Sequence, residues 1–306
     1  MALTLLDFQK LVTEPKRSGV VETLYIEEPI FQWIPFEQIN GLSYTYDKEA
    51  ALPSVAFRGL NESYTASAGV IQPDVEHLKV FGGESDCDIA LVKAYGQVIR
   101  AKYDSMFSKA MAVNFVQMML YGNSPVGYTG TAGRAGAAYD QVKGFDGLMN
   151  RITAAQTVDA LGTTSALGSS VFAIRFGDGY FTGLATPEMI EYEDFGRISS
   201  SPVYRARIEM ISSICIENGK SVAMIKDLTV ACPLLYTMMD NLRDLVVGKP
   251  SVYIMSKRSL RQLKTSCLGV TAALDVTLDR LGYPIESYGG IPIITSDAMI
   301  DTEINT

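Results

Sequence analysis

"NGLSYTYDKEAALPSVAFRGLNESYTASAG", residues 40–69, is the stretch of the chain that decides the fold. Tyr44 and Tyr46 alternate with polar residues, and Val55 and Phe57 repeat that alternation further along. Alternation with a period of two is typical of strands that have one buried face. The polar run "DKEAALP" between them ends in proline and predicts the turn of a hairpin. Since an isolated hairpin is marginally stable in water, we expect another copy of the chain to cover its aromatic face.

The composition is that of a folded protein: 306 residues, 47% hydrophobic and 20% charged. This length allows one large domain or two ordinary ones. The opening "MALTLLDFQKLV" predicts a short amphipathic helix, in which Thr4 and Asp7 have the spacing of a capping box. Neither a secretion signal nor a membrane span is predicted. We therefore expect a soluble protein, made in a cytoplasm, with no membrane partner.

The net charge of −8 argues against strong nucleic-acid binding, because phosphate-binding proteins need a basic face. The one basic run, "SKRSLRQLK" at residues 256–264, is interpreted as the solvated face of a helix. The cysteines lack the paired spacing of zinc sites and disulfide frameworks, and we expect small core residues instead. They are Cys87, Cys215, Cys232 and Cys267.

The longest regular pattern covers residues 86–120, where apolar residues recur at helical spacing with lysines and arginines between them. Ser85 and Asp88 are suited to cap its start, and Asp86 would lie near the positive end of the helix dipole. A helix of about 35 residues spans roughly 50 Å. Such a length predicts an extended, flattened molecule.

The rest of the chain mixes strands and helices without regular alternation, which predicts the α+β class. Hairpin turns are predicted at residues 177–179 and 218–219. After them we expect an amphipathic helix in "CPLLYTMMDNLRDLV", a strand in "PSVYIMS", a helix in "KRSLRQLK" and a last strand in "GGIPIITSD".

The residue pattern predicts no catalytic site, cofactor site or metal site. His77 is the single histidine and has no nucleophile motif to serve, so we expect it on the surface beside the hairpin. The glycine run "GTAGRAGAA" lacks the lysine of a phosphate loop and predicts a flexible surface loop. The acidic run "EMIEYEDFG" lacks calcium-loop spacing and predicts a solvated edge. These runs contain Gly130, Gly133 and Gly136, and Glu188, Glu191, Glu193 and Asp194.

Several of these stretches together resemble the major capsid proteins of tailed bacteriophages, the family with the Hong Kong 97-type fold. "LPSVAFRGLNESYTASAG" looks like the extended hairpin loop of that family, the long helix looks like its spine helix, and "GFDGLMNRI" is similar to the turn that often follows. "SVYIMSKRSLRQLK" and "YGGIPIITSD" look like axial-domain elements. The region from "VFAIRFGDGYFTGL" to "SVAMIKDL" is similar to the long strands that normally close the chain.

The resemblance implies a capsid tile in four parts. They are an N-terminal arm at residues 1–39, an extended loop at 40–80, a peripheral domain with the spine helix at 81–155, and an axial domain with returning peripheral strands at 156–306. In the family the "GIPII" strand precedes the "AIRFG" region, whereas here it ends the chain. A circularly permuted second half is therefore implied, with Asp297 expected near Ser170 and Thr306 expected on the axial domain.

The resemblance also implies the function, which is self-assembly into hexamers and pentamers of the icosahedral head shell that encloses the double-stranded DNA of a tailed phage. Expected partners are further copies of the chain, a separate scaffolding protein, a portal and decoration proteins, with only weak contact to packaged DNA. The protein would assemble in the host cytoplasm and end in the virion. The candidate subunit-interface residues are Tyr44, Tyr46, Val55, Phe57, Arg58, Phe31 and Trp33.

Two other classes of protein stay open at this point. An encapsulin-type nanocompartment shell would share the tile but enclose cargo enzymes, and a neighbouring terminase or portal gene would decide for the phage. An uncharacterised enzyme that uses the acidic residues 188–194 would be a monomer or small oligomer with a deep pocket.

Overall fold

The computed structural model has strands in three sheets, numbered here in chain order. The five-stranded sheet consists, in spatial order, of β1 (Leu3–Thr4), β2 (Pro35–Gln38), β8 (Phe181–Arg197), β9 (Val203–Ile216) and β5 (Lys79–Asp88). The seven-stranded sheet consists of β12 (Leu274–Leu278), β13 (Pro284–Tyr288), β14 (Ile291–Thr295), β11 (Val252–Met255), β7 (Ser169–Ile174), β10 (Val222–Leu228) and β6 (Thr157–Asp159). The two-stranded sheet pairs β3 (Ser43–Ala51) with β4 (Val70–His77).

Helices flank these sheets, and the mixture confirms the α+β class. They are α1 (Pro15–Glu27), α2 (Ile89–Tyr95), α3 (Gln97–Tyr121), α4 (Leu148–Arg151), α5 (Tyr236–Leu245) and α6 (Lys257–Ser266). The structure describes residues 3–5, 7, 15–122, 144–163, 167–198, 202–268, 274–278 and 282–303. Within these ranges no helix is both long and apolar enough to cross a membrane.

The sequence pattern predicted one continuous helix over residues 86–120. This prediction is wrong in two respects, because the helix begins later and is divided into two. Residues 79–88 form strand β5, which pairs with β9 along its whole length. The helix begins after Asp88, whose carboxylate accepts a hydrogen bond from the amide of Ala90 at 2.6 Å, so this predicted cap is confirmed. Gly96 then separates α2 from α3 with a φ of 77°, a conformation that favours glycine. The 25 residues of α3 still span about 37 Å.

The two predicted hairpin turns are present, but each connects strands of different sheets. The turn after β7 leads into β8, and the turn at Asn218 leads from β9 into β10. The long antiparallel pair in this region is instead β8 with β9. The chain therefore passes from the seven-stranded sheet to the five-stranded sheet and back again.

The central strands of the seven-stranded sheet are buried on both faces. On one face Phe172, Ile174 and Ile254 join a core that also contains the buried side of α3. On the other face Val171 and Tyr253 pack with buried residues of α5 and α6. Strands covered on both sides are expected to be continuously apolar, and β7 and β11 are buried at every position.

The segments predicted in the last third of the chain are confirmed as α5, β11, α6 and β14. Met255 is partnered by Thr295 on one side and by Val171 on the other. Because neighbouring strands are about 4.8 Å apart, the end of β14 lies roughly 10 Å from the start of β7. The predicted proximity of these two segments is therefore confirmed, while Thr306 lies outside the described residues.

The N-terminal segment begins with a strand rather than directly with the predicted helix. Strand β1 pairs with β2, and the chain is helical at Leu5 and at Asp7. The hydroxyl of Thr4 donates to the carboxylate of Asp7 at 2.8 Å, and the Asp7 amide donates to that hydroxyl at 3.4 Å. The predicted capping contact is confirmed, and the rest of the predicted helix lies outside the described residues.

Candidate subunit interface

The hairpin predicted from residues 40–69 exists, but its second strand was placed wrongly. Strand β3 pairs with β4, in a register that sets Tyr44 opposite Glu76 and Tyr46 opposite Asp74. The stretch that contains Val55 and Phe57 is not a strand; residues 52–69 form the irregular loop between the two strands. The predicted turn "DKEAALP" is largely part of β3.

The base of the hairpin is anchored in its own subunit. Tyr46 is only 6% exposed and packs with Leu78, Leu184 and Cys215, the last two from the five-stranded sheet. Tyr44 stacks on Tyr46 with ring centroids 6.0 Å apart. Burial is the main cause that raises the pKa of Tyr44 to about 12 and raises the pKa of Tyr46 further. Tyr46 is therefore already covered within its own subunit, and its role at a subunit interface stays a prediction.

Ion pairs fix the hairpin base to the rest of the subunit and close it on itself. Arg151 binds both carboxylate oxygens of Glu76, on strand β4, through Nη1 and Nη2. Lys48 donates to Asp74 across the hairpin at 2.5 Å, and this bond is the largest cause that lowers the pKa of Asp74. The direction of the hairpin relative to α4 is thereby set.

The loop of residues 52–69, which we call the hairpin loop, is exposed along its entire length. Its large apolar side chains project from the subunit without cover. They are Leu52, Val55, Phe57, Leu60 and Tyr64, with Val55 93% exposed and Leu60 98% exposed. So many exposed large apolar side chains on one loop are typical of a surface that binds another protein.

The tip of the hairpin loop is a preformed turn. The amide of Glu62 donates to the carbonyl of Gly59 at 3.3 Å, and the Gly59 amide donates to the Glu62 carboxylate at 2.8 Å. Asn61 takes a φ of 69°, which suits the third position of a type II turn. Arg58 donates to the carbonyl of Glu62 at 3.0 Å and lies 5.3 Å from the ring centroid of Tyr64. These contacts hold the tip in shape without any contact to the body of the subunit.

The two interface candidates before the hairpin are placed in the core. Phe31 is fully buried and stacks on Phe115 of α3, with ring centroids 5.3 Å apart. Trp33 is half-buried and packs against the same core. Both side chains therefore pack in the core of their own subunit, and their role at a subunit interface stays a prediction.

The other described candidate residues lie at the surface or in the core of the subunit. His77 is exposed at the end of β4, as predicted. Cys87 and Cys215 are buried, which confirms the core prediction for these two, whereas Cys232 and Cys267 are half-buried. Gly130, Gly133 and Gly136 lie outside the described residues. No group of three or more potential metal ligands occurs in the part of the chain that the structure describes.

One cleft, of about 680 Å³, lies between α1, α3 and β8. Its charges compensate one another: Asp194 accepts from Lys16 at 2.7 Å and also from Arg100. Asp104 accepts from Tyr192 at 2.8 Å and from Ser85 at 2.7 Å. The predicted solvated edge is thus wrong for Asp194, which binds α1 and α3 together.

The predicted solvated helix face at residues 256–264 is wrong for one of its cations. Arg258 donates to the carbonyls of Asp301 at 3.1 Å and Leu167 at 2.9 Å, so it holds two connecting segments together. Lys257 and Lys264, in contrast, form exposed ion pairs with Asp297 and Glu286.

Comparison with known structures identifies the fold. The structure of bacteriophage Epsilon15 aligns with a TM-score of 0.56 at 13% sequence identity, covering 88% of this chain and 86% of that chain. The capsid of bacteriophage JBD30 gives a TM-score of 0.47 at 10% identity with 90% of each chain covered. The SrpI encapsulin of Synechococcus elongatus gives 0.46 at 9% identity, with 77% and 99% covered. Only the first of these three is close enough to support the fold.

The sequence comparison covers most of the arm, the hairpin, helices α1 to α4 and the strands up to the end of β8. The model of one family, described as major capsid protein GP7, matches residues 13–197, which is more than half of the chain. No curated protein matches the sequence significantly. With this match, and with a subunit fold shared with bacteriophage Epsilon15, the chain belongs to the major capsid protein GP7 family.

Proposed function

We propose that the hairpin loop interlocks copies of this major capsid protein in the icosahedral head shell that encloses the double-stranded DNA of a tailed phage. Membership of a capsid family makes the chain a component of a homo-oligomeric shell in the virion. The proposal adds which surface connects the copies, and it places assembly in the host cytoplasm. It also assigns the protein a structural role without enzymatic activity.

One observation carries the proposal: the hairpin is anchored at its base and uncovered at its tip. Tyr46 is buried in its own subunit, whereas Phe57 and Leu60 project into solvent on a preformed turn. Burying one such side chain on a neighbour contributes about 1.5–3 kcal/mol. A preformed tip loses little conformational freedom on binding, so more of that contribution is retained. Closed symmetric assemblies cover such surfaces by repeating the same contact.

Further partners belong to the proposal as well. A separate scaffolding protein, a portal and decoration proteins are expected for a shell built from this tile. The net charge of −8 suits a shell that must not adhere strongly to the DNA inside it. The same proposal includes the division of the chain into an arm (residues 1–39), an extended loop (40–80), a peripheral domain (81–155) and an axial domain with returning peripheral strands (156–306).

The test compares the double variant Phe57→Ala/Leu60→Ala with the matched control Thr65→Ala, an exposed polar position in the same loop. We expect sedimentation velocity to show at least a tenfold loss of shell particles for the double variant and none for the control. Circular dichroism and melting temperature should stay unchanged for both. Normal particle yield from the double variant would contradict the proposal, and loss of folding would place the loop in the core of the subunit.

A further inference from the structure

Residues 296–303, which we call the C-terminal segment, connect three distant parts of the subunit. The segment follows β14 and ends where Glu303 forms a backbone bridge to Gly168, just before β7. Along the way the amide of Ile300 donates to the hydroxyl of Tyr121, the last residue of α3. Ala298 and Met299 are buried in the main core. The segment therefore contacts both the helical layer and the seven-stranded sheet.

One buried carboxyl group holds the end of this segment. Glu303 is 3% exposed. Its two carboxyl oxygens accept from the hydroxyl of Tyr121 at 2.7 Å and from the hydroxyl of Ser170, on β7, at 2.5 Å. Among the described residues no lysine or arginine forms an ion pair with it. Burial is the main cause that raises the pKa of Glu303 to about 7, and the nearby carboxylate of Asp227 raises it as well.

A second buried carboxyl group holds the start of the segment. Glu28 follows α1 directly and is 1% exposed. The side chain of Ser296 and the backbone of Ala298 face it and act to lower its pKa, while its Oε2 has no hydrogen-bond partner. Burial raises the pKa of Glu28 to about 7, and the negative charges of Asp297 and Glu27 act in the same direction.

Within the described residues, the charged groups around both carboxyls provide no compensating cation. Asp297 is paired with the exposed Lys257 at 2.5 Å, and Glu27 is paired with Lys109 of α3. At the other end, Asp301 lies 3.4 Å from Nε of Arg258. Asp227, on β10, lies 3.2 Å from Lys226. The cations that face the segment are thus engaged by other carboxylates, and an ionised Glu28 or Glu303 would be a buried charge without an opposite charge beside it.

We propose that the C-terminal segment is a proton-controlled strap: it ties α1, α3 and β7 together while Glu28 and Glu303 are neutral, and it loosens when they ionise. In the neutral state one carboxyl oxygen of Glu303 accepts from Tyr121, and the other keeps its hydrogen bond to Ser170, whose hydroxyl can act as donor or as acceptor. In the ionised state each carboxylate gains hydration by leaving its site. The strap is a property of the single subunit and does not depend on the proposed role of the hairpin loop.

The direction of the pH dependence follows from the raised pKa values. A carboxyl group that titrates near 7 in the folded subunit and near 4.5 when released binds more protons in the folded state between those two pH values. Its contribution to the closed strap is complete below about pH 4.5 and is lost as the pH rises to about 7. Above about pH 7 both groups are ionised whether the strap is closed or released, so a further rise in pH does not destabilise the closed strap any more.

Hydrogen exchange measured by mass spectrometry on the full-length subunit tests the strap directly. After correction for intrinsic exchange rates, the protection of residues 297–303 should fall by up to about tenfold per carboxyl for each pH unit between 5 and 7. The isosteric variant Glu28→Gln/Glu303→Gln should keep its protection at every pH. The control Glu188→Gln, at an exposed position, should follow the unmodified protein.

Two results would overturn the strap. The first is pH-independent protection of the segment in the unmodified protein, and this measurement decides even if a variant fails to fold. The second is equal loss of protection at all pH values in the glutamine variant, because it would mean that the ionised carboxylates are the stabilising form. Particle formation is not part of this readout, so failure of the strap and failure of the hairpin-loop interface are separate outcomes.

Discussion

Gly168 and Glu303 form a two-way backbone bridge, in which the amide of each residue donates to the carbonyl of the other at 3.1 and 3.0 Å. The end of the described chain is thereby joined to the start of β7. A second close approach joins another pair of segments, where the thiol of Cys232 donates to the carbonyl of Leu161 at 3.6 Å. To restore the usual order, the segment that begins near Cys232 would have to follow Leu161, and Glu303 would have to be connected to Gly168. Both pairs of segment ends are close together in this subunit. We propose on this basis that the second half is a circular permutation of the usual family order.

The permutation predicts that the usual order can be restored. In a reordered chain, residues 231–303 would be inserted between residues 163 and 168 through short glycine-serine linkers. Because short surface connections change loop entropy only slightly, the free energy of unfolding should stay within about 2 kcal/mol of the original value. Chemical denaturation measures this. A reordered chain that does not fold would show that the two connections cannot be exchanged.

Tyr46 and Phe57 lie only eleven positions apart, but the structure of the hairpin predicts very different changes in the free energy of unfolding when each is replaced by alanine. Tyr46→Ala would leave a cavity among Leu78, Leu184 and Cys215, and should lower the free energy of unfolding by about 3–5 kcal/mol. Phe57→Ala removes a fully exposed ring and should change it by less than about 0.5 kcal/mol. Urea denaturation of the two variants checks both values. Equal destabilisation would mean that the loop folds onto its own subunit.

This contrast shows where the sequence pattern was informative and where it was not. Alternation at Tyr44 and Tyr46 correctly predicted a strand, but the same alternation at Val55 and Phe57 did not, because no partner strand lies beside them. The true partner, β4, contains Pro73, which argues against a strand in most sheets. Proline is tolerated here because a two-stranded sheet has only edge strands.

Tertiary contacts also decided the start of the long helix. The run "KVFGGESDCD" contains two adjacent glycines and has weak strand propensity on its own. It forms β5 because β9 pairs with it at ten successive positions. The helix elements α5 and α6 needed no such information, since their amphipathic patterns and the Ser256 cap are local. Local patterns predicted these elements, and long-range pairing decided the others.

Asp194 predicts a specific loss of stability in acid. Its carboxylate accepts from Lys16 and Arg100 and from the amide of Gly196, and these hydrogen bonds lower its pKa although burial opposes them. A lowered pKa gives stability that is present above about pH 4 and is lost as the pH falls below it. Asp194→Asn should therefore destabilise the subunit by about 1–3 kcal/mol at pH 7.

The difference between Asp194→Asn and the unmodified protein should shrink as the pH falls below about 4. Denaturation curves across this pH range measure it, and Glu188→Gln is the matched control at an exposed position. A difference that stays constant from pH 7 to pH 3 would rule out the ion-pair explanation.

Gly82 is predicted to be required for the pairing of β5 with β9. A Cβ atom there would lie 2.2 Å from the carbonyl oxygen of Ile208, which belongs to the backbone and cannot move aside. Gly82→Ala should therefore cost about 1–3 kcal/mol of stability or prevent folding. At Gly83 the same atom would meet only the ring of Phe107 at 3.2 Å. Thermal melts should accordingly show a much smaller loss for Gly83→Ala.

A cryo-electron microscopy reconstruction of the particles formed by the expressed protein tests the central claim most directly. We predict a closed icosahedral shell in which residues 52–69 extend onto a neighbouring subunit, with Phe57 and Leu60 buried against it. The protein should be co-expressed with the proposed scaffolding protein, because without it the subunits could fail to assemble even if the account is correct. A chain that stays monomeric under these conditions would contradict the account, and so would a shell in which the hairpin loop contacts no neighbouring subunit.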